Sequence, residues 1–219
     1  MYKKITHNIV EEHFAHPLAA DLKKKIDKSK MSRESATKIQ IDARRLISNL
    51  FWGIRRYMID ALGTHDEATA AVKAKLLTDI LEFVPVFAGH FPVTVSSDVV
   101  RHLVNFVNSF ADIVASAKSG KDTTALVALA QTHLDQLAQV LGTANPTHWP
   151  VATVKVYLKE YLTLVATQLT SRIKKDWKAD MDAESYALNM MLNGPIMRDG
   201  PLKNWPDFAS VLATGLATT

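Results

Sequence analysis

Apolar residues recur at three- and four-residue steps through long segments of this chain, and proline or glycine separates the segments. This spacing places the apolar side chains on one face of an α-helix. The only β-branched cluster, Val93-Thr94-Val95, is too short to build a sheet. The sequence therefore predicts an all-α fold, an antiparallel bundle of about five to six helices.

The apolar stripes and the breakers between them define the expected helices. The first begins at Ser32, a good N-cap, and ends at Leu62 before Gly63. Residues 85–95 hold two prolines and a glycine, which predicts a loop. Gly142 directly follows the fourth stripe and is its expected cap. The remaining expected helices cover residues 66–84, 97–118, 122–141, 151–174 and 181–192.

Three parts are expected along the 219 residues. Residues 1–31 form a basic N-terminal arm, residues 32–194 the bundle, and residues 195–219 a C-terminal tail. The tail holds Gly200-Pro201, Trp205-Pro206 and Gly215, so an irregular segment with one helical turn is expected.

Basic residues concentrate near the N-terminus. Residues 1–60 carry 13 Lys and Arg against 7 Asp and Glu, whereas the whole chain has a net charge of only +4. Such a segment can bind nucleic acid, an anionic lipid surface or an acidic protein face. The alternative is a solvated extension, which the interleaved acidic residues favour. The candidate partner-binding residues here are Lys23, Lys24, Lys25, Arg44 and Arg45.

Trp205 and Phe208 form the second candidate docking element. An exposed Trp and Phe in an irregular tail would anchor a protein partner. The alternative is that both rings fold back onto the bundle. Trp52, Trp149 and Trp177 are instead expected to anchor helix ends against loops, with the indole N–H reaching a carbonyl.

The histidines do not follow the spacing of known metal sites. His13 and His16 could share a helix face, but Pro17 disfavours helical geometry at His16. His102 and His133 fall within expected helices and lack a matching Glu-x-x-His partner. With nearby carboxylates they remain the candidates for a metal or small-ligand site, weighed against a structural role.

No catalytic constellation is recognisable. Asp180, Asp182 and Glu184 lie near a helix start, where carboxylates favour the helix dipole. Neither a nucleophile elbow nor a phosphate-binding glycine loop occurs. The absence of cysteine excludes disulfides and thiol catalysis and is compatible with a reducing compartment such as the cytoplasm. No cofactor, no metal and no transmembrane segment are therefore predicted.

The most specific motif is the turn at residues 141–150, which reads LGTANPTHWP. With it, residues 46–194 resemble an uncharacterised family of bacterial helical-bundle proteins that has relatives in large DNA viruses and no established activity. Further segments that carry the resemblance are residues 56–62, 117–120, 160–164 and 176–180, together with Tyr186.

The resemblance implies a histidine on each of four helices. The aligned positions hold Phe51, Phe106, Tyr161 and Met190 in this chain. A metal or cofactor site formed by the family's histidines is therefore expected to be lost here. This implies a bundle retained for its shape and surface.

Three functions follow as hypotheses. The preferred one is a non-enzymatic structural or interaction protein in a larger assembly, and the viral relatives make a virion or capsid-associated component one concrete form. The second is a metal- or small-ligand-binding bundle, or an enzyme, that uses His102 and His133. The third is a nucleic-acid or anionic-membrane binder acting through residues 1–60. Protein partners, including a second copy of the chain, are expected because the first and third helices carry wide apolar faces.

Overall fold

The computed structural model describes residues 36–64, 66–194 and 202–218, which form an all-α bundle, as predicted. Within these ranges there is no strand, and no helix is long and apolar enough to cross a membrane. The arm, with Lys23, Lys24 and Lys25, and the expected helix start at Ser32 lie outside the described residues. The helices are α1 Ala36–Leu62, α2 Asp66–Ile80, α3 Phe83–Ala88, α4 Val93–Lys118, α5 Thr124–Ala144, α6 Val151–Ile173, α7 Trp177–Leu192 and α8 Phe208–Ala217.

One apolar core receives side chains from every one of these helices. Burying a Val, Leu, Ile or Phe side chain contributes about 1.5–3 kcal/mol, so the stripes provide the main driving force. The predicted stripe of α1 has eight members, of which Ala61 is half-buried and packs against the core. The other seven are buried: Ile39, Ala43, Leu46, Ile47, Leu50, Ile54 and Met58.

Residues 85–95, predicted to be a loop, are largely helical. Pro85 lies in the first turn of α3, where its missing N–H would have no intrahelical acceptor. Pro92 precedes α4 directly, so that helix begins at Val93 rather than near residue 97. Val93 is buried, and this burial outweighs the low helix propensity of the β-branched residues beside it.

Gly142 lies inside α5, so its prediction as a cap is wrong. The Asn145 N–H donates to the Leu141 carbonyl oxygen at 3.0 Å and keeps the last turn helical. The glycine is required by close packing instead, because a Cβ there would lie 2.3 Å from Val151 Cγ2. The end of α5 therefore rests directly on the start of α6.

The tail, predicted to be irregular, contains α8, which packs against α1 and α7. The Asp207 carboxylate caps this helix by accepting from the Ser210 N–H at 2.8 Å. Phe208, Leu212 and Leu216 are buried. The core is thus completed by a C-terminal helix that the glycine and proline content of the tail obscured.

Trp149 holds α8 in place. Its indole Nε1 donates to the Val211 carbonyl oxygen at 2.9 Å, which confirms the predicted anchoring of a turn. The indole lies against Gly215, where a Cβ would come within 2.0 Å of the ring. The rings of Phe87 and Phe91 flank it at centroid distances of 6.0 and 5.4 Å. The turn at residues 145–150 therefore docks onto the C-terminal helix.

Gly215→Ala is expected to lower the free energy of unfolding by about 2 kcal/mol, because the new methyl group overlaps the Trp149 indole. This loss occurs although alanine favours helices more than glycine does. Urea unfolding followed by circular dichroism measures it. Gly89→Ala is the matched control, since its Cβ would lie 3.7 Å from the nearest carbonyl oxygen. Equal midpoints for the two variants would contradict the packing of Trp149 on α8.

Candidate functional site

A buried ion cluster joins α1, α6 and α7. Arg55 donates to both carboxylate oxygens of Asp180, at 2.5 and 2.9 Å. Its guanidinium also donates to Gln168 Oε1 at 2.8 Å and to Glu184 Oε2 at 2.7 Å. Arg172 approaches the same Asp180 carboxylate at 2.8 Å. Two cations thus face two carboxylates inside the bundle.

This cluster corrects one expectation and extends another. Arg55 belongs to the basic stretch expected to bind partners, but it is buried. Asp180 lies in the first turn of α7, as expected, while Asp176 caps that helix by accepting from the Ala179 N–H at 3.1 Å. The carboxylates of Asp180 and Glu184 have the further role of pairing with Arg55. Removing one partner from a buried ion pair costs about 3–5 kcal/mol, since the other charge stays buried. The cluster therefore fixes α7 against α1 and α6.

His102, on α4, is the more buried of the two candidate histidines. The pKa of His102 is lowered to about 4, mainly by burial and next by the positive charge of Arg101; Asp98 opposes this shift and His133 on α5 adds to it. The imidazole is consequently neutral at pH 7. Its Nδ1 atom and that of His133 have no hydrogen-bond partner among the described residues.

His102 lines a groove between α4 and α5. At its edge Arg101 donates to the Asp98 carboxylate at 2.6 Å, and Gln136 and Gln139 face it from α5. Across the described ranges, no three His, Asp or Glu side chains are arranged to hold a metal ion. His102 and His133 therefore lack a third ligand in this part of the chain. His13 and His16 lie outside the described residues.

The four positions aligned with the family's histidines are all buried. Three of them meet at the bundle centre, where the Tyr161 ring lies 6.4 Å from Phe51 and 6.5 Å from Phe106 between centroids. Met190 is buried on α7. These residues belong to the apolar core.

The Tyr161 hydroxyl is a polar exception in this centre. Burial raises its pKa, so the group stays protonated. The oxygen has no hydrogen-bond partner in the described structure. Tyr161 lines a cavity of about 20 Å³ whose surface is apolar throughout. A water molecule needs two to four polar partners, which this cavity does not supply.

Phe208 and Trp205 fold back onto the bundle. Phe208 is buried, with its ring centroid 5.5 Å from that of Tyr157, so its prediction as an exposed anchor is wrong. Trp205 is half-buried and lies 5.6 Å from the same Tyr157 ring. The Tyr157 hydroxyl donates to the Pro206 carbonyl oxygen at 2.5 Å. These contacts bury most of the docking surface expected in the tail.

Arg44 also makes intramolecular contacts. Its guanidinium donates to the Leu192 carbonyl oxygen, at the end of α7, and to Asp207 Oδ2 at 3.1 Å. It therefore ties the tail and α7 to α1. Arg45 points outward and pairs with Asp42 at 3.4 Å. Both arginines remain partly open to solvent, with 47% of the Arg44 side chain and 42% of the Arg45 side chain exposed.

The exposed apolar residues were missed by sequence reasoning. Trp52 and Trp177 are exposed, not packed at helix ends as expected. Ile41 and Ile59 are exposed on α1 as well. The sequence does carry this signal, because the three α1 residues lie outside the stripe that forms the core.

Acidification is expected to destabilise the fold through His102. An unfolded histidine has a pKa near 6.5, so between pH 6.5 and about 4 the unfolded chain binds a proton that the folded chain does not. The free energy of unfolding should fall by on the order of 2–3 kcal/mol as the pH drops through this window. His102→Gln should remove this loss, whereas His148→Gln is the control. Urea unfolding at pH 7 and pH 4.5 tests it; identical pH dependence in all three proteins would contradict it.

Tyr161→Phe is expected to raise the free energy of unfolding by about 1 kcal/mol, because it removes a buried hydroxyl without a partner. Tyr157→Phe is the matched control and should lower it by about 1 kcal/mol, since that hydroxyl donates to Pro206. Chemical denaturation compares the two. Equal destabilisation would mean that the Tyr161 hydroxyl is bonded to a group inside the cavity.

No protein-family model, curated protein or solved structure matches this chain. The family resemblance accordingly stays an expectation drawn from the motifs. The contacts and surfaces of the chain itself must carry the functional argument.

Proposed function

We propose that this chain is a non-enzymatic structural protein that packs against neighbouring proteins in a larger assembly. The observation that supports this most is a line of three large apolar side chains on the outside of α1. Ile41 is 60% exposed, Trp52 45% and Ile59 40%. We call these three residues the α1 stripe.

The three residues share one face of the helix. They are separated by 11 and 7 positions, which at 3.6 residues per turn keeps them within about 20° of one another. At 1.5 Å per residue the stripe is about 27 Å long. A row of this length suits a helix of a neighbouring protein laid along α1.

Charged residues border the stripe. Arg45 pairs with Asp42, and Arg56 pairs with Asp60 at 3.6 Å. These exposed pairs contribute little to stability. A polar rim around exposed apolar side chains is typical of a protein interface.

The basic arm at residues 1–31 ends four residues before α1 in the sequence. The arm's lysines favour an acidic neighbour. Given the resemblance to viral proteins, a virion or capsid-associated component is one concrete form of the assembly.

Trp52→Asp is expected to weaken self-association of the full chain at least about tenfold, because a carboxylate would replace the largest apolar group of the stripe. Removal of residues 1–31 should also weaken association while leaving the thermal unfolding transition intact. Sedimentation velocity over a range of protein concentrations measures both effects.

Leu129→Asp is the matched control, since Leu129 is as exposed as Trp52 but lies on α5. Circular dichroism verifies that each variant is folded. If the parent chain sediments as a monomer at every concentration, or Leu129→Asp has the same effect as Trp52→Asp, assembly of the chain through the α1 stripe is wrong.

A further inference from the structure

We propose that the turn between α6 and α7 docks onto a membrane surface that contains anionic lipid. This inference does not rest on the α1 stripe and goes beyond assembly with proteins. The residues that carry it, which we call the α6–α7 face, are Ile173, Lys174, Lys175, Trp177 and Met181.

Large apolar side chains project from this face. Trp177 is 56% exposed, Met181 54% and Ile173 44%. Trp177 and Met181 are neighbours on the helix surface because they are four residues apart. The Arg172 guanidinium carbon lies 6.0 Å from the Trp177 ring centroid, which places the end of α6 beside the indole. Trp177 and Met181 thus form one exposed apolar tip, and Ile173 is exposed at the end of the preceding helix.

The charge left at the α6–α7 face is positive. Lys174 and Lys175 are exposed and have no ion-pair partner among the described residues. Asp176 caps α7 and is exposed beside the lysines, so it offsets one of their two charges. Asp182 pairs with Lys178 at 2.6 Å, and the carboxylates farther along α7 belong to the buried ion cluster. The described turn therefore keeps an excess of one positive charge beside the apolar tip.

Lys175 adopts the left-handed backbone conformation, which glycine usually occupies. Its φ is 60°, at the residue that follows the C-terminal end of α6. The Asp176 N–H donates to the Ser171 carbonyl oxygen at 2.8 Å, and the Lys175 N–H to the Arg172 carbonyl oxygen at 3.1 Å. This is the Schellman arrangement, in which glycine is usual at the left-handed position. A lysine there is held at a cost in stability, which indicates a role for its side chain.

A lipid interface fits this set of side chains better than a nucleic acid does. Ile173 and Met181 are aliphatic and cannot stack on bases, whereas acyl chains accommodate them. Tryptophan favours the boundary between headgroups and hydrocarbon. The long side chains of Lys174 and Lys175 can reach lipid phosphates while their stems remain in apolar surroundings.

Co-sedimentation of the full chain with vesicles tests the proposal. The parent should bind vesicles of equal parts phosphatidylcholine and phosphatidylglycerol and should bind pure phosphatidylcholine weakly. Trp177→Ala should weaken binding to the anionic vesicles at least about tenfold. The double variant Lys174→Ser/Lys175→Ser should weaken it about 25-fold, since each lysine near an anionic surface contributes a factor of about five.

Trp52→Ala is the matched control, because it removes an exposed tryptophan from another helix. The basic arm is present in all variants, so its contribution cancels in the comparison. If association through the α1 stripe is wrong, sedimentation of Trp52→Asp will match that of the parent chain. Vesicle binding will not be affected by that result. The two proposals can therefore fail separately.

Lys175→Gly separates a role in binding from a role in folding. It should raise the urea midpoint, because the left-handed conformation suits glycine, yet weaken vesicle binding about fivefold. The proposal is overturned if Trp177→Ala and Trp52→Ala bind anionic vesicles equally, or if Lys175→Gly binds as well as the parent. It is also overturned if the parent binds a single-stranded oligonucleotide and Trp177→Ala loses that binding, since the occupant is then a nucleic acid.

Discussion

The two-point contact between Arg55 and Asp180 fixes α7 against α1, and the outer surface depends on this placement. A guanidinium and a carboxylate paired in this geometry resist both sliding and rotation of the two helices. The same contact neutralises Asp180, and Arg55 also holds Glu184. Because Asp180 and Glu184 are paired inside, Asp176 alone offsets the charges of Lys174 and Lys175 in the described turn, which stays positive. The pairing of carboxylates inside the bundle thus contributes to the positive charge of the α6–α7 turn.

The two pairs of adjacent arginines on α1 divide their contacts between other helices and α1 itself. Arg44 and Arg55 are 11 residues apart, so they share a face, and each binds an acidic residue contributed from the C-terminal part of the chain. Arg45 and Arg56, the next residue in each case, pair only with carboxylates of α1 itself. One member of each pair therefore holds the fold together, while the other borders the α1 stripe.

Most helices of the bundle could be predicted from their long runs of apolar residues at helical spacing. These residues lie close together in the sequence, so a helix can be recognised without knowledge of its distant partners. The predictions that were wrong concern segments whose structure depends on contacts with residues far away in the sequence. α8 has only ten residues and contains Gly215, and what favours it is the fit of that glycine to the Trp149 indole. Likewise, nothing local distinguishes Arg55, which pairs inside, from Arg56, which is exposed. Only the approach of Asp180, 125 residues later, makes the difference.

Because the polar groups in the interior are buried, the side chains on the surface are the ones that can contact a partner. His102 is neutral at pH 7 and the Tyr161 hydroxyl is sealed in an apolar cavity, so neither presents a charge to a ligand. Trp52 and Trp177, by contrast, are exposed on helices that the ion cluster and the core already hold rigid. Rigid apolar side chains lose little conformational entropy when they bind, which favours association. The two exposed tryptophans are therefore the groups on which both proposed contacts with a large surface depend.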